Sequence, residues 1–400
     1  MNKTLIGMLL AALLLCGCDE PPLAQQRAAR MAAAHGEVLV AVAWPLHSSK
    51  ATLVNGIQLA VDEINRGGGV LGGRPLRILL KDDSASLSTG RLVAQQIADN
   101  LDVAAVIGHL NSYVAAPAAQ IYQRAGLVMI TPGASGQKIT DQGNPLVFRS
   151  LPGNRDQGRQ IGDYAAAQGY KNVAIYYIKN DYGIDLANYF EQRARELGIN
   201  IADRRSYNMA GDDYGAVLND WASFLKLDAI FLIGSLPESP QILRAARAAG
   251  LRVPVFGGAG LDAPELIRGG GRDVEGTVVF SLFNMDDPRP EVREFGQRYR
   301  QRYGVLPDSN AAQGYDTLRL LVQAIERAGG TESGQLAAAL RSTRDWHGVT
   351  GRDTFSEKGD LVAKPLAKLV VQHGKFVFFD HLPPLAQDGR GADRDTAALR

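Results

Sequence analysis

Along this chain, short apolar runs alternate with stretches in which apolar residues recur every third or fourth position. Val38–Trp44 is a continuous apolar run that predicts a buried strand. Leu53, Ile57, Ala60 and Ile64 follow at helical spacing, and the Gly-rich residues 65–69 end that helix. Residues 76–80 predict the next strand, which runs into Asp82-Asp83. Val93, Ile97 and Leu101 mark a helix, and residues 103–107 a strand. A punctuation then repeats. Gly126, Gly169, Gly198 and Gly250 each close a helical segment and precede an apolar strand, at 127–130, 173–178, 199–202 and 253–256. Glycine after a helix adopts the left-handed conformation without a Cβ clash. Residues 229–233 form a further strand. Helices alternating with continuous apolar strands predict an α/β fold with parallel sheets covered on both faces. In such sheets, ligands bind beyond the carboxyl ends of the strands. The loops at 45–50, 108–113, 131–136, 179–183, 234–238 and 257–262 are therefore the candidate site.

The ends change the picture. Met1-Asn2-Lys3 and the apolar run 5–15 have the form of a signal peptide, too short for the roughly 20 residues of a membrane span. Leu15-Cys16-Gly17-Cys18 resembles a bacterial lipobox. That resemblance implies a leader of residues 1–18 and lipidation at Cys18, and Asp19 implies retention at the inner membrane. Residues 19–35 are expected to be a tether, with helical potential in 24–34; residues 381–400 are expected to be a disordered tail. Both cysteines, Cys16 and Cys18, lie in the leader, so the folded part has no thiol for a disulfide, zinc site or nucleophile. Lys plus Arg number 43 against 42 Asp plus Glu, which offers no basic stripe to nucleic acid.

At the candidate loops the sequence resembles the Leu/Ile/Val-binding family of type I periplasmic solute-binding proteins. The resemblance is carried by Ile107-Gly108-His109-Leu110-Asn111-Ser112, Met129-Ile130-Thr131-Pro132-Gly133-Ala134-Ser135, Asp156-Gln157-Gly158, Asp181-Tyr182-Gly183, Gln241-Ile242-Leu243-Arg244, Tyr315-Asp316 and Ser356-Glu357-Lys358-Gly359-Asp360. It implies two Rossmann-like lobes joined by three crossovers. One would be 36–150 with 283–347, the other 151–282 with 348–380. It also implies a small carboxylate-type ligand, amino acid or related organic acid, enclosed by hinge closure. An ABC permease and ATPase would be the partners, the protein would be a monomer, and no cofactor would be needed.

By the same resemblance, Ser112, Gly133 and Ser135 hold the ligand carboxylate, Leu110 and Asn111 form the pocket wall, and Tyr182 closes from the second lobe. Hydroxyls and backbone N–H groups suit an oxyanion. The departures are informative. Ala259 stands where the family's amino-acid binders place a Glu against the ligand ammonium, and Ser235 stands where they place a Tyr. Ser49 lies near the position of a further Tyr, and Ala85 and Asn111 occupy the positions of a disulfide. Glu238, Asp262 and Asp181 are the candidates to replace the missing acid, and Trp44 the candidate stacking face.

Enzymatic readings find little purchase. Gly257-Gly258-Ala259-Gly260 is neither a dinucleotide fingerprint nor a P-loop, and Pro132-Gly133-Ala134-Ser135-Gly136 is not a nucleophile elbow. The six histidines show no metal-ligand spacing. His109 belongs to the Gly-His-Leu motif, with a structural or near-pocket role expected. Asp82 and Asp83, adjacent on a strand, point to opposite faces and are expected to bond the loop. The alternative to transport is a ligand-sensing receptor subunit on the same fold.

Overall fold

The computed structural model describes residues 21–209 and 213–379; Cys18 and the 381–400 tail lie outside the described residues. The chain first lays down α1 (Leu23–Ala32), β1 (Val38–Trp44), α2 (Thr52–Arg66), β2 (Leu76–Asp82), α3 (Leu87–Asp99), β3 (Val103–Gly108), α4 (Ser112–Arg124), β4 (Val128–Thr131), α5 (Lys138–Asp141) and β5 (Val147–Arg149). Next come α6 (Asn154–Ala167), β6 (Asn172–Ile178), α7 (Asp181–Glu196), β7 (Asn200–Tyr207), α8 (Tyr214–Phe224), β8 (Ala229–Ile233), α9 (Glu238–Ala248), β9 (Val255–Gly257), α10 (Pro264–Gly270) and β10 (Val278–Ser281). The last part holds α11 (Pro290–Tyr303), α12 (Ser309–Ala328), α13 (Ser333–Arg341), the hairpin β11 (Trp346–Gly348) and β12 (Gly351–Asp353), then β13 (Ala367–Gln372) and β14 (Lys375–Phe378).

Two sheets result, one per lobe. The first has the order β2-β1-β3-β4-β5 and is parallel throughout. The second has the order β14-β13-β10-β9-β8-β6-β7. It is parallel from β7 to β10, whereas β13 and β14 join it antiparallel. The second sheet is thus mixed where a parallel one was expected. The two-residue reversal between Gln372 and Lys375 permits antiparallel pairing without a crossover helix.

Side-chain alternation divides each sheet between two cores. In β1, Val38, Val40, Val42 and Trp44 pack with Leu53 and Ile57 of α2 and Leu318 and Leu321 of α12. Ala41 and Ala43 face Val93 and Ile97 of α3 and Ala115 and Tyr122 of α4. In β6, Val173 and Ile175 face Ile161 of α6 and Phe190 of α7, while Ala174, Tyr176 and Ile178 face Leu218, Trp221 and Leu243. The punctuating glycines do what was expected of them: Gly126, Gly169, Gly198 and Gly250 have φ of +67°, +76°, +71° and +87°.

Within the segment expected to be a tether, α1 is docked on the first lobe. Arg27 is buried, and its guanidinium donates to the carbonyls of Ala98, Asn100, Val103 and Ala125. Ala98 and Ala125 belong to the C-terminal ends of α3 and α4, where unpaired carbonyls and the helix dipole favour a cation. Met31 adds an apolar contact from α1 to the core.

The chain passes between the sheets three times, after β5, after β10 and after α13. Two motifs of the sequence reading turn out to secure these passages. Asp316 accepts from the backbone N–H of Val349 at 2.9 Å and of Thr350 at 2.7 Å. In the Ser356–Asp360 run, Gly359 O accepts from Arg149 N at 2.9 Å, and the Asp360 carboxylate meets the buried Arg149 side chain.

Candidate functional site

The carboxyl ends of both sheets face a common cavity of ≈ 190 Å³ between the lobes. Eight of the nine residues expected at a ligand line it: Leu110, Asn111, Ser112, Gly133, Ser135, Tyr182, Ser235 and Ala259. The ninth, Trp44, is not in the wall. It is buried beneath it, its Nε1–H donates to Lys50 O at 2.9 Å, and a Cβ added to Gly133 would come within 2.6 Å of its ring. Trp44 therefore supports the glycine loop from below, and only glycine fits above it.

The first-lobe wall is tied into the interior. Ser112 opens α4, and Asn111 precedes it without a side-chain cap. The unpaired N–H groups of that first turn lie in the cavity wall. Ser112 Oγ does not cap its own helix; it accepts from Gly136 N at 3.0 Å, joining the loops after β3 and β4. Thr131 Oγ1 donates to His109 O at 2.8 Å and accepts from Ala134 N at 3.0 Å. His109 itself is wholly buried, its Nδ1 2.7 Å from Asp83 Oδ2 and its Nε2 3.1 Å from the Tyr122 hydroxyl. Of the structural and near-pocket roles expected of it, this is the structural one. The Asp pair bonds the loops as expected: Asp82 Oδ1 accepts from the N–H of Leu46 and Ser84, and Asp83 Oδ1 from that of Ala85. Arg149 donates to Ser135 O at 2.6 Å and Gly136 O at 2.8 Å, fixing the same loop from the hinge side.

The second-lobe wall is made of small residues around Tyr182. The Tyr182 hydroxyl is buried near the Gly258–Gly260 turn; burial pushes its pKa up to about 12, and the Gly260 backbone works against that shift. None of the three acids proposed for an ammonium lines the cavity. Glu238 starts α9 and accepts from Ser235 Oγ at 3.0 Å, a favourable place for a carboxylate. Asp181 is exposed at the start of α7 and borders a neighbouring crevice. Asp262 is buried behind the wall and accepts from Ser281 Oγ at 2.5 Å.

Sequence reasoning missed Lys50, Gln157 and Asn310, all of which line the cavity. Lys50 ends a nominated loop, and Gln157 is in the Asp156-Gln157-Gly158 motif, so the signal was present for both. The lobes meet through side chain and backbone. Lys50 Nζ donates to Ala259 O at 2.9 Å, and Gln137 N donates to Asp185 Oδ2 at 2.9 Å. Four polar atoms of cavity-lining residues are buried without a partner among the described residues: Asn111 Oδ1, Gln157 Oε1, the Tyr182 hydroxyl and Asn310 Nδ2. Unmet buried polar groups of this kind mark where a polar ligand completes the hydrogen bonding.

Comparison with known proteins agrees with this architecture. Residues 38–374 match the family model described as periplasmic binding protein. The Leu/Ile/Val-binding protein homolog 2 of Brucella abortus is 30% identical over 337 residues, 82% of this chain and 89% of that one. Among solved structures, the ABC transporter substrate-binding protein of Desulfitobacterium hafniense in complex with Leu is 37% identical, with a TM-score of 0.77 over 86% of this chain and 100% of that one. A leucine-binding protein of Thermotoga maritima is 30% identical, with a TM-score of 0.80 over 86% and 97%.

Proposed function

We propose, from the premise that this chain belongs to the periplasmic binding protein family, that it captures a small carboxylate between its lobes and delivers it to an ABC permease and ATPase. It is a binding protein, not an enzyme. The observation that carries the ligand class is the first-lobe wall, where Ser112, Gly133, Ser135 and the first turn of α4 converge on one cavity. Hydroxyls and free N–H groups there suit an oxyanion. The lobes we infer run 36–150 with 283–347 and 151–282 with 348–380. The first would engage the ligand, and closure would add Tyr182, Ser235 and the Ala259 loop. A ligand favours the closed form only through contacts absent from the open one. The relatives' names and the bound leucine of one neighbour support a ligand of amino-acid size.

A thermal-shift screen of amino acids and organic acids tests this reading. A ligand at about 100 times its Kd adds roughly 2.7 kcal/mol. The double variant Ser112→Ala with Ser135→Ala is expected to lose carboxylate binding, and unchanged affinity by calorimetry would overturn the assignment.

The same reading places the protein in the periplasm, as a monomer anchored to the inner membrane through lipid on Cys18. The five residue steps from Cys18 to the start of α1 reach at most about 17 Å. The docked helix would thus hold the first lobe close to its anchor. Radiolabelled palmitate incorporated by the natural chain and lost in Cys18→Ala is the expected result; equal labelling would refute it.

A further inference from the structure

The cavity is charged on one side only. Among the described residues that line it, Lys50 alone is ionic. Its Nζ donates to Ala259 O at 2.9 Å and to Asp262 O at 3.5 Å, spanning from the loop after β1 to the loop after β9. The Asp262 carboxylate is buried as well, and its charge acts on Lys50. Withdrawal from water lowers the Lys50 pKa and raises that of Asp262, and each charge resists the other's shift. Two carbonyls, with a buried carboxylate whose charge reaches the same point, make a receptacle for an ammonium group, and the protein's own ammonium fills it.

We infer that Lys50 sets the ligand class, so that the cleft takes a carboxylate bearing no charged amino group. This rests on the carboxylate reading above and narrows it. A ligand ammonium brought into this cleft meets a like charge and, among the described residues, no lining carboxylate, the arrangement by which binding sites reject a wrong partner. Lys50 has three N–H donors, and two are directed to protein carbonyls. The third remains for a ligand oxygen. The groups left to recognise the rest of the ligand are neutral. Asn111 Oδ1 and Gln157 Oε1 can accept from a ligand hydroxyl, and Asn310 Nδ2 and the Tyr182 hydroxyl can donate to a hydroxyl or keto oxygen, so neutral groups suffice in place of the amine.

Calorimetry on the full-length protein with ligand sets of one skeleton tests this. Leucine would be compared with 2-hydroxy-4-methylpentanoate and 4-methyl-2-oxopentanoate, and phenylalanine with its hydroxy and keto counterparts. In at least one set the natural protein is expected to prefer the hydroxy or keto acid over the amino acid by about tenfold or more. Lys50→Met should weaken that acid by about tenfold and erase most of the preference, while Lys50→Arg keeps it. An amino acid bound as tightly as its hydroxy and keto counterparts overturns the inference and leaves the carboxylate reading intact. So does a Lys50→Met protein that folds and binds as before. Binding of none of these acids overturns both. The preference of the natural protein is decisive even if Lys50→Met does not fold.

Discussion

The two walls of the cleft differ in how they are held. The first-lobe wall is wired into polar interior groups: Ser112 to Gly136, Thr131 to His109 and Ala134, His109 to Asp83 and Tyr122, and Arg149 to Ser135 and Gly136. The second-lobe wall rests on close packing of small residues. Gly258 and Gly260 leave room for Tyr182, Gly234 leaves room for Ser239 and Tyr207, and Leu261 packs in the core beside Gly234 and Gly257. A wall of fixed hydrogen-bonding groups loses little freedom when a ligand arrives, whereas a wall that packs acts by excluding water. The first wall is thus expected to set what binds, and the second to set how well the closed form is retained.

The largest effect is expected at the brace itself. Arg149 is fully buried and serves Ser135 O, Gly136 O, Thr140 Oγ1 and Asp360 together. Arg149→Met leaves the Asp360 carboxylate without its cation and takes a donor from Thr140 Oγ1, Ser135 O and Gly136 O, the last two keeping only the N–H of Asn154 and Ile139. Removing one member of a buried charge pair costs about 3–5 kcal/mol. Urea unfolding should show a loss of that size, and calorimetry a loss of carboxylate affinity. Arg149→Lys should restore little, because an ammonium cannot reproduce the planar fork. A variant of natural stability would show that the wall is not braced from the hinge.

The second effect separates stability from binding within one lobe. Arg27 lies at the far end of the first sheet, beside the start of β3, while the cavity lies beyond its end. Arg27→Ala should cost about 2 kcal/mol by uncovering helix-end carbonyls and should leave ligand affinity unchanged. Hydrogen exchange should also show α1 losing protection. A fall in affinity would mean that the two ends of the lobe are coupled.

How far the sequence revealed this contrast depended on whether the information was local. The strand Val38–Trp44 was legible because a strand buried on both faces is continuously apolar. The edge strand Asn200–Tyr207 was only half legible, at 199–202, because its later part carries Asp203, Arg204 and Arg205. The β13–β14 hairpin was missed for the same reason, with Lys368, Gln372 and Lys375 interrupting the apolar pattern. The wall residues followed from loop position and motif. Trp44 was misplaced because it sits at a strand end that faces the core rather than the cleft. Lys50 escaped because its partner, Ala259, is 209 residues away on the opposite lobe. Spacing along a chain shows which residues share an element, not which loops of two sheets will face each other.

The smallest effect is expected on the packed wall. Tyr182 fills the space left by Gly258 and Gly260, and its hydroxyl is buried without a hydrogen-bond partner among the described residues. If that hydroxyl meets only the ligand, Tyr182→Phe removes one neutral hydrogen bond and keeps the ring. The expected loss is about 1 kcal/mol, less than about tenfold in Kd, with unfolding unchanged. Such a variant should release ligand faster while binding it at a similar rate, because small interface changes act mainly on dissociation. Stopped-flow displacement measures both rates. A loss as large as that expected for the Ser112 and Ser135 double variant would mean that the second wall selects the ligand as strongly as the first, and the division of labour between the walls would fail.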